Sequence, residues 1–201
     1  LISILLGLSM GSGTVFSLQY GAGRMKALRR SIYVSAVLIG TVTIVLNIAA
    51  LSFIHPILKL LQIPDDIYQM MYDYLWIIFW GIGFTFIYNF YAALLRAIGN
   101  AVTPLYFLAI SVVLNIGLDL FFILLLDWGI KGAAIATIIA QGVSALGIMG
   151  YTYAKCPELR LHRNDLHFDR HCLKEITSFS TLTCIQQSVM NLGILMVQGL
   201  V

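Results

Sequence analysis

Residues 104–126 read PLYFLAISVVLNIGLDLFFILLL, an apolar run that contains one charged residue, Asp119. A helix needs about 20 apolar residues to cross the roughly 30 Å hydrocarbon core of a bilayer, so this run is long enough to span a membrane. It lacks the alternation of apolar and polar residues that is typical of a lipid-facing barrel strand. The run therefore predicts a transmembrane helix.

Five further apolar segments of similar length flank this run, at about residues 1–20, 32–54, 70–95, 130–153 and 176–201. The whole chain of 201 residues is 60% hydrophobic and only 10% charged, with a mean hydropathy of +0.91. Soluble domains carry about 25% charged residues, so this chain lacks the polar surface of a soluble protein. We predict an all-α membrane protein, a polytopic bundle with six transmembrane helices. Both chain ends lie inside apolar segments, so we expect a piece of a longer protein.

The basic residues indicate how the helices are oriented. Ten of the 12 Lys and Arg residues fall in three alternate connections, 21–31, 96–103 and 154–175. The other two are Lys59 and Lys131. Because cytoplasmic loops of membrane proteins are enriched in Lys and Arg, we predict that these three connections are cytoplasmic.

Asp119 is the acidic residue that lies well inside a predicted span. A carboxylate at membrane depth costs at least about 2.5–3.5 kcal/mol, so such a residue faces a bundle interior or a wet cavity and is a functional candidate. Asn115 lies on the same helix face, about 6 Å away along the axis, and Thr137 falls at a similar depth on the next, antiparallel helix. These oxygen ligands suit a proton or a hard cation such as Na⁺. The alternative is a structural hydrogen bond to a neighbouring helix.

Several other classes of function are not supported by the sequence. No nucleophile–base constellation occurs at membrane depth, so we expect no enzymatic activity and no cofactor beyond a coupling ion. No basic stretch interleaves with aromatic residues, so we expect no nucleic-acid partner. The three cysteines, Cys156, Cys172 and Cys184, have no paired spacing and predict no disulfide. The expected partners are the lipid bilayer and a small molecule.

Two stretches resemble a known family. Residues 95–104 read LRAIGNAVTP, and residues 129–137, which follow Asn115 and Asp119, read GIKGAAIAT. In order, spacing and orientation they resemble the multidrug and toxic compound extrusion (MATE) transporters of prokaryotes. The resemblance implies a twelve-helix, two-lobe transporter, of which this chain would be the second to seventh helices. Residues 1–153 would then form most of the N-terminal lobe, 154–175 the cytoplasmic linker between lobes, and 176–201 the first helix of the C-terminal lobe.

The resemblance also implies a function. It implies a secondary active antiporter of the bacterial plasma membrane, monomeric when full length, that exports amphipathic and cationic drugs or metabolites in exchange for H⁺ or Na⁺. In family members with a cation site in the N-terminal lobe, an acidic residue of the first helix joins an Asn, an Asp and a Thr, which match Asn115, Asp119 and Thr137. A tyrosine of the family matches Tyr74. The matching first helix is not part of this chain.

The chain also departs from the family pattern. A proline that is often present early in the seventh helix is absent near Leu182, and no acidic residue occurs in residues 176–201. Members with a coupling carboxylate on that helix are therefore poor models for this chain. Gln186, Gln187 and Asn191 are candidates for contact either with a substrate or with neighbouring helices.

A second hypothesis is a lipid-linked oligosaccharide flippase of the same superfamily. Such proteins generally need basic residues in the cavity to bind a pyrophosphate headgroup. Here every Lys and Arg lies in a loop or at a helix end, which counts against a flippase. The exported compound and the choice between H⁺ and Na⁺ stay open at this stage.

Overall fold

Every predicted apolar segment forms helix in the part of the chain that the computed structural model describes, which is residues 2–60, 65–159, 161 and 170–198. The middle of the predicted cytoplasmic linker lies outside these described residues. The α-helices in chain order are α1 (Ile2–Gly21), α2 (Met25–Ser52), α3 (Ile54–Leu60), α4 (Asp65–Trp80), α5 (Ile82–Ala97), α6 (Val102–Leu120), α7 (Gly129–Lys155) and α8 (Arg170–Gln198). A π-helical turn, Phe121–Leu125, continues α6, and a 3₁₀ turn, Pro157–Leu159, follows α7.

Within the described residues, four stretches meet the length and apolarity needed to cross a membrane: Met25–Ser52, Ile67–Ala97, Val102–Leu125 and Gly129–Lys155. The helices α1 and α8, of 20 and 29 residues, cover the first and last predicted segments. No strand occurs among the described residues. The prediction of an all-α, polytopic membrane protein is confirmed.

The third predicted segment, 70–95, is not one continuous helix. It is divided at Gly81, whose amide donates to the carbonyl of Ile78 at 2.9 Å, three residues back rather than four. At this point α7 comes very close, because a Cβ on Gly81 would lie 2.9 Å from Cγ1 of Ile138. The absence of a side chain at Gly81 therefore lets Ile138 of α7 pack closely at this break.

The connection predicted between the second and third segments, 55–69, contains helical structure. The short helix α3 begins immediately after α2, with Pro56 in its first turn, where a missing backbone donor costs little. Ile54 and Leu58, which lie one turn apart on this helix, are both fully buried. Nδ1 of His55 lies 2.7 Å from the hydroxyl of Tyr68, which joins α3 to α4. The predicted linker 154–175 is likewise shorter than expected, because α7 and α8 extend into it.

The three basic connections lie at the same end of the bundle. A small cavity there is lined by Ile32, Leu94 and Cys156, which come from the three parts of the chain next to these connections. Nε of Arg29 donates to the carbonyl of Glu158 at 3.0 Å, which ties the first connection to the third. Burial raises the pKa of the Cys156 thiol, so this cysteine, which is free, stays protonated at neutral pH. This common location agrees with the charge pattern, which predicted that the three connections lie on the same side of the membrane.

The turn between α5 and α6 has a conformation that its sequence explains. Gly99 has a φ of +87°, and the amides of Gly99 and Asn100 donate to the carbonyls of Arg96 and Leu95 at 3.1 and 2.9 Å. This is the Schellman arrangement that ends many helices. The side-chain oxygen of Asn100 then accepts from the amide of Thr103 at 3.1 Å, which caps the beginning of α6.

Replacing Gly99 with Ala should destabilise the protein by about 1–2 kcal/mol, because a Cβ is unfavourable in the left-handed region. Gly83→Ala is the matched control, since Gly83 lies inside α5, where an added Cβ meets nothing within 4 Å. The thermal unfolding midpoint of the full-length protein in detergent measures both changes. A Gly99→Ala midpoint equal to or above that of Gly83→Ala would contradict the prediction.

Candidate cation site

The antiparallel pair α6 and α7 carries the candidate residues, and contacts along its length set one register. Near the end with the basic connections, Oγ of Ser144 donates to the carbonyl of Phe107 at 2.9 Å. At the other end, α7 packs tightly on the π-helical turn, since a Cβ on Gly132 would lie 2.9 Å from Cβ of Phe122. Asn115 and Thr137 lie opposite each other between these two contacts.

Asn115 and Thr137 meet across this pair. Nδ2 of Asn115 donates to Oγ1 of Thr137 at 3.3 Å, and Oγ1 of Thr137 donates to the carbonyl of Ala133 at 2.9 Å. Because the hydroxyl proton of Thr137 is directed along its own helix and one lone pair of its oxygen accepts from Asn115, one lone pair remains as a further acceptor. The amide of Asn115 likewise retains its carbonyl oxygen as an acceptor. The predicted convergence of these two residues is therefore present, and their role stays a prediction.

Asp119 lies one turn beyond Asn115 on α6 and is half-buried. Its Oδ1 is buried, and no described residue donates a hydrogen bond to that oxygen. A buried carboxylate oxygen without a hydrogen-bond donor is costly. Proton uptake or cation binding by the carboxylate would remove this cost. The three residues therefore combine a carboxylate with two oxygen acceptors, which is chemistry suited to a hard cation.

The backbone directly after Asp119 is irregular. Residues Phe121–Leu125 form a π-helical turn, and the amide of Trp128 donates to the carbonyl of Phe122 at 3.0 Å. The rings of Phe122 and Trp128 stack with their centroids 5.2 Å apart. Such π-turns inside helices are frequent at functional sites. The apolar run around this turn carries no signal from which it could have been predicted.

The other candidates are more dispersed. Tyr74 lies half-buried on α4 and makes no hydrogen bond to Asn115, Asp119 or Thr137 within the described residues. On α8, Gln186 is exposed and Gln187 is half-buried. Nδ2 of Asn191 donates to Oγ of Ser3 at 2.6 Å, so Asn191 joins α8 to α1. A role in substrate contact stays a prediction for all four of these residues, Tyr74, Gln186, Gln187 and Asn191.

A cavity lined by several polar side chains among apolar surface adjoins the candidate site toward the end with the basic connections, and sequence reasoning missed it. It has a volume of about 290 Å³ and is lined by Thr85, Tyr88, Asn89, Leu108, Ser111, Gln141 and Ser144. Oγ1 of Thr85 donates to Oε1 of Gln141 at 3.1 Å across this cavity. Ser111 lies one turn before Asn115, and Gln141 lies one turn after Thr137. Ser111 and Gln141 thus lie on the same helix faces as the candidate residues. This four-residue spacing is the sequence signal from which they could have been predicted.

Comparison with protein families gives the identity. The family model described as MatE matches residues 1–121, which is more than half of the chain. The chain belongs to the MATE family. The matched region includes Asn115 and Asp119 of the candidate site.

Two curated relatives show how much of a MATE protein this chain represents. It is 38% identical over 145 residues to the "Probable multidrug resistance protein YpnP" of Bacillus subtilis, covering 72% of this chain and 33% of that protein. It is 30% identical over 199 residues to the "Probable multidrug resistance protein NorM" of Thermotoga maritima, covering 96% of this chain and 42% of that protein. The chain thus spans less than half the length of either relative.

Solved MATE structures share the fold. A MATE crystal structure in complex with MaL6 has a TM-score of 0.90 at 22% identity and covers 98% of this chain and 44% of that one. The inward-facing conformation of a multidrug resistance MATE family transporter has a TM-score of 0.86, at 22% identity, over 92% of this chain and 42% of that one. The relatives are transporters rather than enzymes. The MATE assignment does not favour the flippase hypothesis.

Proposed function

We propose that the full-length protein is a secondary active antiporter, which exports amphipathic, cationic compounds in exchange for H⁺ or Na⁺ across a bacterial plasma membrane. The observation that carries the proposal is the buried Oδ1 of Asp119, without a donor among the described residues, one turn from the Asn115–Thr137 pair. The names of the curated relatives, multidrug resistance proteins, support export of drug-like compounds.

The coupling residues act through the charge of Asp119. A proton on its carboxylate, or Na⁺ beside Oδ1 with the oxygens of Asn115 and Thr137 as further ligands, removes the cost of a buried, unpaired anion. A cation that binds one conformation better than another shifts the population toward it. Cation entry from the outside would therefore bias the transporter toward the conformation that releases substrate.

The cavity beside the site supports the substrate part of the proposal. Its lining combines hydroxyl and amide groups with the apolar surface of Leu108 and the ring of Tyr88. Such mixed lining suits amphipathic molecules, because apolar walls bind the body of the ligand and a few polar groups orient it. No Lys or Arg lines this cavity within the described residues, which agrees with a cationic cargo rather than an anionic headgroup.

The topology completes the proposal. We place connections 21–31, 96–103 and 154–175 in the cytoplasm, and their common location at one end of the bundle supports this side assignment. The lobe division at 1–153, 154–175 and 176–201, and the monomeric state of the full-length protein, belong to the same proposal.

Inside-out vesicles that contain the full-length protein test the exchange. Ethidium should accumulate in the vesicles when either H⁺ or Na⁺ is more concentrated in the lumen, because the vesicle lumen corresponds to the outside of the cell. The gradient that drives transport names the coupling ion, and an ionophore that collapses it is the control. Absence of transport under both gradients, with correct insertion, would contradict antiport and favour the flippase hypothesis.

A further inference from the structure

An ion pair joins α4 to the first turn of α7. Nζ of Lys131 lies 2.8 Å from Oδ2 of Asp73, and Nε2 of Gln69 donates to Oδ1 of Asp73 at 3.2 Å. The Asp73 side chain is 23% exposed, against 58% for Lys131. Both oxygens of this carboxylate therefore have partners, which fixes its position on α4.

Lys131 occupies an unfavourable place for a cation. It lies in the first turn of α7, near the positive end of the helix dipole, and that turn contains no acidic residue of its own. Asp73 supplies from α4 a negative charge that the first turn of α7 does not contain. The ion pair thus compensates both the ammonium group and the helix terminus.

The same region of α7 carries Thr137. Thr137 follows Lys131 by six residues, about 9 Å along the helix axis. Slightly further along, α7 meets the α4–α5 junction again, where Ile138 packs on Gly81. Thr137 therefore lies between two attachments of α7 to this side of the bundle. One attachment depends on packing, and the other depends on the charges of Asp73 and Lys131.

We propose that Asp73 is a positioning residue of the cation site, which acts through Lys131 on the placement of Thr137 opposite Asn115. The proposal rests on the proposed function, in which Thr137 helps to bind the coupling ion. A partly exposed ion pair contributes little to folding stability. We therefore expect its loss to change the cation site more than the stability of the fold.

Transport by the full-length protein in vesicles tests this role. Asp73→Asn should raise the concentration of coupling ion for half-maximal ethidium transport by roughly threefold to fivefold, because α7 loses one of its two attachments and Thr137 is held less firmly opposite Asn115. The maximal rate and the thermal midpoint should stay close to those of the unaltered protein. The exchange of charges, Asp73→Lys with Lys131→Asp, should restore the half-maximal concentration to within about twofold, since it re-forms the pair and places an acid at the beginning of α7.

Asp127→Asn is the matched control. Asp127 precedes α7 by two residues and makes no ion pair among the described residues, and its φ of +53° is one that Asn also tolerates. An equal effect of Asp127→Asn would mean that net charge, not the pair, matters, and would overturn the proposal. An unchanged half-maximal concentration in Asp73→Asn, or no recovery in the charge exchange, would also overturn it.

A measurement without transport separates this proposal from the proposed function. In full-length protein whose native cysteines are replaced by Ser, a thiol reagent should modify Thr137→Cys severalfold faster when Asp73→Asn is also present. Asp127→Asn should leave the rate unchanged. If the unaltered protein shows no cation-driven transport, the proposed function fails, yet the modification rates still decide the positioning role. Equal rates with and without Asp73→Asn would overturn it.

Discussion

Replacing Asp119 with Asn in the full-length protein should abolish cation-driven export while leaving the protein inserted in the membrane. The amide cannot take up a proton as a carboxylate does, and it offers a cation no negative charge. We expect the initial rate of ethidium transport in vesicles to fall at least tenfold, the change that about 1.4 kcal/mol of lost cation interaction would produce. Because Oδ1 of Asp119 has no described donor, the substitution breaks no described hydrogen bond at that atom.

Asp127→Asn is also the control for this experiment, because it makes the same chemical change in the connection between α6 and α7. Both variants should reach the membrane fraction in amounts similar to the unaltered protein. Efflux at the unaltered rate by a well-inserted Asp119→Asn protein would show that Asp119 is a structural residue, which is the alternative that the sequence left open.

Replacing Gly11 with Ala should strongly destabilise the packing of α1 on α8. These helices run antiparallel, and Gly7 and Gly11 face the backbone of Cys184 and Ser180. A Cβ on Gly11 would lie 2.4 Å from Cα and 2.6 Å from the amide nitrogen of Ser180, so no side-chain rotation relieves the clash. Overpacking of this kind costs about 1–3 kcal/mol or more. We expect a clear fall in the thermal unfolding midpoint of the full-length protein.

Gly21→Ala is the control on the same helix. A Cβ at Gly21 meets nothing within 4 Å, and Ala is favoured over Gly in a helix by up to about 1 kcal/mol. Gly11→Ala should therefore lower the unfolding midpoint, whereas Gly21→Ala should raise it or leave it unchanged. A midpoint for Gly11→Ala equal to that for Gly21→Ala would show that the two helices separate easily here. If the proposed lobe division holds, this contact lies between the two lobes.

The sequence predicted the all-α fold, the common location of the basic connections at one end of the bundle and the intramembrane acid. These predictions rest on local properties: a helix must be long enough to cross the hydrocarbon core, and a charge within that core is costly. The pairing of Asn115 with Thr137 was also predictable, because two consecutive helices joined by a short connection run antiparallel and bring equal depths together.

Other features depended on contacts between distant parts of the chain. Gly81 lies close to Ile138 of α7, and Gly11 lies close to Ser180 of α8, which is far along the sequence. The residues next to these two glycines in the sequence do not predict either contact.

The polar groups near the candidate site also divide into those that the sequence alone could identify and those that only the fold revealed. Asp119 stood out in the sequence because its immediate neighbours are apolar, whereas Asp73 and Lys131 looked like ordinary residues near helix ends until the fold paired them. Hydrophobic length and the cost of a buried charge are properties of a single segment, so the sequence by itself determined the helices and Asp119. Close packing and ion pairing require two segments at a defined distance, so only the tertiary structure decided the contact of α7 at Gly81, the α1–α8 seam and the partner of Asp73.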